Sequence, residues 1–282
     1  MLNLTETLID NCIKQLKAAY CRTYGDRSAQ FAALIGEVAH LTLGAIAQSD
    51  APYHNVEHTI LVSLVGQEIL RGKQLQEGTS HQDWLHLILA LLCHDVGYAK
   101  GICQQDRAAT REFATGIAAE TIALPIGTTD ASLTPYHVDR SKQFVRERLT
   151  QYGLLDDEAI AAIERHIELT RFPVPPDADD RATSEYSCLA RAADLIGQLS
   201  DPRYLQKLPA LFYEFTETGM TRCLGYTNPD DLRAGYPHFY HSIVYPLIEP
   251  ALQYLQVTSS GQQVIWRLEA NLWQVEQECL TA

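Results

Sequence analysis

The chain reads as all-α, a single helical bundle of roughly ten helices. Apolar residues recur at helical spacing through most of its 282 residues, no segment sustains two-residue alternation, and no repeat or low-complexity linker divides it. A hydrophobic fraction of 46% with 20% charged residues is that of an ordinary globular protein with a sizeable core.

Residues 2–20 place Leu4, Leu8, Cys12, Leu16 and Tyr20 at steps of four, which predicts a helix capped by Thr5. A second helix is expected over 27–46, with Phe31, Leu34, Ile35, Val38, Leu41 and Leu43 largely on one face. After Pro52 a third runs through Val56, Ile60, Val62, Leu64 and Val65 to about Arg71, and 72–80 reads as a loop. Residues 82–96 are apolar on nearly every face, as in a helix through the middle of a core, and end at Gly97. Residues 101–133 read as an irregular cover. Helices follow from Pro135 and from the Asp156-Asp157-Glu158 start, the latter stopping at Pro173, Pro175 and Pro176 before an acidic loop over 177–180. Another spans 183–195. Beyond Pro202 come a helix with Leu205, Leu208, Leu211, Phe212 and Phe215, a connection through Gly219, Gly225, Tyr226 and Gly235, and closing helices over 239–255 and 262–279.

Charge and cysteines narrow the function. The balance of 22 Lys+Arg against 35 Asp+Glu, net −13, opposes attraction to a nucleic-acid polymer or an anionic membrane. Seven scattered cysteines without a Cys-x-x-Cys fit reduced thiols, and Glu6 and Asp10 replace a basic leader, so a cytoplasmic location is expected. Cys93, in an apolar helix, reads as a buried thiol and not a nucleophile.

Three segments carry the chemistry: Tyr53-His54-Asn55-Val56-Glu57-His58, Cys93-His94-Asp95 and Ala193-Asp194. His54 and His58 are four apart, so a helix from Asn55 would bring their rings about one turn apart. A His-Asp pair behind a run of leucines needs a partner or a metal to offset its desolvation. Imidazole and carboxylate donors suit a divalent ion, with Mn, Mg, Zn, Fe and Ni not distinguished and one or two ions allowed.

The order of these motifs resembles the HD-domain superfamily of metal-dependent phosphohydrolases over about residues 51–201, with 1–50 and 202–282 as flanking helices. The first motif is closer still to class I cyclic nucleotide phosphodiesterases, whose pattern is Tyr-His-Asn-x-x-His and then His-Asp-x-x-His-x-Gly. The resemblance implies His58, His94, Asp95 and Asp194 as metal ligands and His54 as the proton donor to the leaving oxygen. The chain departs from the pattern at Tyr98, which stands where the third histidine would be, and shows no clear counterpart of the purine-clamping glutamine. His137 and His166 are candidates for a second metal or for substrate, and Lys100, Arg140 and Arg171 for phosphate. His81, His86, His238 and His241 read as structural.

The expected activity is metal-dependent hydrolysis of a small phosphoester, of a nucleotide or similar molecule, with a cyclic nucleotide among the substrates allowed. A catalytically silent ligand-binding module of the same fold and a di-iron oxygenase are the alternatives. The expected partner is a small phosphorylated substrate. Homo-oligomerisation is left open by the aromatic stretch 236–254.

Overall fold

The computed structural model describes residues 3–25, 29–174 and 185–281. The chain is all-α, its helices in order being α1 (Leu4–Tyr24), α2 (Ala29–Ile46), α3 (Val56–Gln76), α4 (His81–Cys93), α5 (His137–Arg148), α6 (Asp157–Glu168), α7 (Glu185–Leu199), α8 (Tyr204–Glu217), α9 (Met220–Leu224), α10 (Pro229–Phe239), α11 (Tyr245–Leu255) and α12 (Ser259–Thr281). One continuous core runs from Ile9 in α1 to Val275 in α12, so the chain folds as a single domain. The expected acidic loop 177–180, with Pro175, Pro176 and Thr183, lies outside the described residues.

Helix α4 is the centre of this core. Nine of its residues, from Trp84 to Cys93 with His86 excepted, are buried, which is why the sequence is apolar all round. Helices α2, α3, α6 and α7 surround it. By length and composition α2 is apolar enough to cross a membrane, but half of that stretch is buried within the fold, so its apolarity serves the core.

Several local expectations change. In α1, Leu4 and Leu8 are exposed, and the buried face is Ile9, Cys12, Leu16, Ala19 and Tyr20. Steps of four drift about 40° each around a 3.6-residue helix, so only a mixture of threes and fours stays on one side. Asn3, not Thr5, caps the helix by accepting from the Glu6 N–H. Gly72 is not a loop residue. It lies within α3, where a Cβ would come 1.8 Å from the Tyr254 carbonyl oxygen, so glycine there lets α3 and α11 touch. Gly235 likewise belongs to α10, whose start is fixed by a reciprocal cap between Asn228 and Asp231.

The cover over 101–133 contains an antiparallel ribbon, β1 (Glu112–Ala114) paired with β2 (Thr121–Ala123), that three-residue strands had hidden from any alternation test. The aromatic stretch 236–254 is two-sided: Tyr236, Tyr240, Val244, Ile248 and Tyr254 are buried in the chain's own core, while Ile243 and Tyr245 are exposed.

Candidate metal centre

The local chain path that builds the centre follows from a few residues. Asn55 caps α3, its side-chain oxygen accepting from the N–H groups of Glu57 and His58, so His58 occupies the first turn of the helix and His54 the residue just before the cap. Gly197 of α7 would put a Cβ 2.7 Å from the Val62 Cα of α3, so the two backbones meet there. His58 and Asp194 each lie about one turn from that contact.

Helix α4 ends at Cys93, leaving His94 and Asp95 at the bend into a 3-10 turn over Val96–Tyr98. Ser141 of α5 holds this bend, donating to the His94 carbonyl at 2.7 Å and accepting from the Gly97 N–H at 2.9 Å. A Cβ at Gly97 would stand 1.9 Å from the His137 carbonyl oxygen, so glycine is what lets α5 bring His137 against the site.

Four donor atoms from these three segments converge. His58 Nε2 is 3.2 Å from Asp95 Oδ2 and 3.3 Å from Asp194 Oδ1. His94 Nε2 is 3.2 and 3.6 Å from the same two oxygens. Ligands about 2.1 Å from a common ion stand roughly 3.0 to 3.5 Å apart in octahedral or tetrahedral geometry. His94 Nδ1 is 2.7 Å from the Leu91 carbonyl, which places the proton on Nδ1 and turns the Nε2 lone pair to the cluster. Both His94 Nε2 and Asp95 Oδ2 are buried without a hydrogen-bond partner. Such orphaned atoms call for an explanation, and a shared cation supplies one. The residues therefore fit a divalent ion.

The electrostatics agree. Burial opposes ionisation of Asp95, yet the facing His94 and His58 hold its carboxyl well below the usual range, and Asp194, under the same opposition, is drawn to about 2. Burial similarly disfavours charge on His58 and His94, but the two carboxylates raise both, His94 strongly. Two buried carboxylates facing two imidazole nitrogens are a charge arrangement that one divalent cation can satisfy, the cation taking the place of the protons.

His54 stands beside this cluster and lies with His58 and Asp95 in a second group of convergent donors. Its Nδ1 is 2.5 Å from Glu214 Oε2, while Glu214 Oε1 accepts from the N–H groups of Tyr53 (2.7 Å) and His54 (3.1 Å). Burial works against charge on His54, but Glu214 outweighs it and lifts the imidazole to about 9, above the near-neutral value expected from sequence. Sequence reasoning missed Glu214. It sits three residues past Leu211 on the core-facing side of α8, and a carboxylate in that register was the available signal. It also carries the site past residue 201, beyond the span of the resemblance.

Tyr98 fills the space between two histidines. Its ring stacks on His54 at 4.5 Å and on His137 at 4.4 Å, with interplanar angles of 12° and 21°. His137 Nδ1 is 2.6 Å from the Thr134 carbonyl, and its Nε2 is 3.8 Å from Asp95 Oδ1, so it faces the free oxygen of that carboxylate.

The remaining candidates lie elsewhere. His166 is buried against Ser187 of α7, Nδ1 to Oγ 2.8 Å, and belongs to neither donor group. Arg140 is fully buried and spends all five donors internally: Nε on the Gly97 carbonyl, Nη1 on Asp106 and the Ala114 carbonyl, Nη2 on Asp106 and the Ala99 carbonyl. It ties the cover to the 94–99 turn and has no donor left for phosphate. Lys100 is held by Asp130 and the Thr128 carbonyl, and Arg171 by Glu168 and Asp139. Cys93 is buried, with its thiol pushed up by burial.

A comparison with curated proteins gives no match. A family profile, Npun_R2479-like, matches residues 2–278, nearly the whole chain, and the protein therefore belongs to the Npun_R2479-like family.

Proposed function

We propose that this chain is a metal-dependent phosphohydrolase acting on a small phosphoester, with one divalent ion held by His58, His94, Asp95 and Asp194. The observation that carries the reading is the convergence of those four donor atoms, two of them buried without any other partner, beside a histidine that is not needed as a ligand. A bound divalent ion supplies the positive charge that polarises a phosphoryl oxygen and acidifies water. His54 holds a proton ready. Glu214 occupies its Nδ1, fixing the ring and favouring the imidazolium, so the other ring nitrogen is the one that passes a proton to the departing oxygen. Tyr53 and Tyr98 pack against the His54 ring and restrict its rotation.

One ion is favoured over two. Among the described residues, Asp95 Oδ1 faces His137 Nε2 at 3.8 Å, and the Tyr98 ring covers His137. His166, whose Nδ1 meets Ser187 and which belongs to neither donor group, lends the di-iron oxygenase alternative no support. Because Lys100, Arg140 and Arg171 are paired internally, recognition of the phosphoryl group falls to the ion and His54.

The test is turnover by the purified chain supplied with manganese, magnesium, zinc or iron, against cyclic nucleotides, nucleotides and simple phosphoesters. Phosphoester cleavage that His54→Asn lowers by roughly two to four orders of magnitude with metal content unchanged is expected. Metal-loaded protein that binds a ligand from the panel but cleaves none would instead make it a ligand-binding module.

A further inference from the structure

Helix α12 carries two apolar stripes. Leu268, Leu272 and Val275 face inward and are buried. Trp266, Trp273 and Leu280 face outward, 67%, 63% and 80% exposed, at steps of seven residues. Ala270 and Gln277 fall between them, so the outward residues 266, 270, 273, 277 and 280 follow alternating steps of four and three. That is the spacing of a helix seam packed on another helix.

The same surface also has a hollow. Ala234, Pro237 and His238 of α10 and Glu276, Gln277, Cys279 and Leu280 of α12 line an open groove of about 510 Å³. Trp266 projects near one end of α12 and the groove lies near the other. A protruding indole and a hollow at opposite ends of one helix are self-complementary about a two-fold axis that crosses the helix near its middle, because each copy offers both. In that arrangement Trp266 of each copy lies level with Gln277 of the other, about one turn short of Leu280, and Trp273 packs over Ala270, large against small.

We propose that this chain forms a two-fold symmetric dimer through the Trp266, Trp273 and Leu280 face of α12, the helices running antiparallel and each Trp266 entering the groove of the second copy. A tryptophan that is two-thirds exposed presents about 160 Å². With Leu280 the three side chains offer about 450 Å² per chain, or about 900 Å² in the pair. Ala270, Gln277 and the groove wall bring the total above the roughly 1,000 Å² that a specific interface needs. A membrane is the poorer occupant: Glu269, Glu276 and Glu278 flank the stripe on a chain of net charge −13, which anionic headgroups repel. The like charge of two copies also opposes their approach, so salt tightens the dimer by screening it.

Sedimentation equilibrium of the full chain from about 1 to 100 µM tests this. A dimer is expected, tighter at 0.5 M than at 0.05 M salt, with a dissociation constant raised roughly 30-fold or more by Trp266→Glu or Trp273→Glu while the far-UV spectrum stays unchanged. As a second measurement, Ala270→Cys in a chain with Cys223→Ser and Cys279→Ser should cross-link to its own counterpart with a short bis-maleimide. A wild-type chain that is monomeric at 100 µM overturns the proposal, as does a dimer indifferent to both Trp substitutions. A monomer that binds phosphatidylcholine vesicles through these tryptophans overturns it in favour of a membrane face.

Discussion

Removing Glu214 tests how the site is positioned. Its carboxylate accepts from the buried Tyr53 N–H, the partly buried His54 N–H and His54 Nδ1, so Glu214→Ala leaves three donors without a partner. At about 1 to 3 kcal/mol for each buried unsatisfied group, with partial relief by water at the one-sixth-exposed His54 ring, the expected loss is about 4 kcal/mol. Glu214→Gln keeps Oε1 as the acceptor for both N–H groups and loses only the charged pair, so it should cost about half as much. Unfolding entropy of about 2 cal/mol/K per residue gives roughly 0.6 kcal/mol/K for 282 residues, hence Tm drops of about 7 °C and 3 °C. Thermal melts followed by circular dichroism read both. A Glu214→Ala melt within about 1 °C of wild type, or equal losses for Ala and Gln, refutes this account of how His54 is held.

Two further predictions concern the fold that carries the site. Burial, followed by nearby His86 and Arg165, pushes His166 down to about 4, so it is neutral when folded but titrates at its ordinary 6.5 when unfolded. A base with a depressed native pKa contributes stability that is present above 6.5 and lost as pH falls toward 4, in total about 3 kcal/mol. Unfolding free energies from urea titrations at pH 7.5 and 5 should therefore lie closer together for His166→Gln than for wild type, by about 2 kcal/mol, and parallel acid losses would count against a buried neutral imidazole. Gly97→Ala should destabilise by about 3 kcal/mol or more, since its Cβ would meet the His137 carbonyl at 1.9 Å. Gly44→Ala in α2, with nothing within 4 Å, should be neutral or stabilising by up to about 1 kcal/mol, and both read directly in chemical denaturation.

The all-round apolarity of α4, the periodicity of α6 and α12 and the capping Asp156 are plain in the sequence because burial and helix polarity act locally. The convergence of His58, His94, Asp95 and Asp194 was legible only through the order of motifs, since nothing local tells three distant segments to meet. What escaped the sequence is long-range pairing. Glu214 reads as one polar residue in an apolar helix until α8 is laid against residues 53–54. Arg140 reads as a free cation until five acceptors from the cover and the 94–99 turn close around it. Gly72 and Gly235 read as loop residues because close backbone approach within a helix leaves the same letter as a turn. The strands β1 and β2 are too short for a period-two signal to emerge.

Elemental analysis of the chain purified without chelator bears most directly on the central claim. The account predicts about one divalent ion per chain, falling to background in His94→Ala and in Asp95→Ala while His54→Asn and Glu214→Gln retain it. Full occupancy in the His94 and Asp95 variants, or a folded wild-type chain that takes up no ion from manganese, zinc, iron, nickel or magnesium, would contradict it.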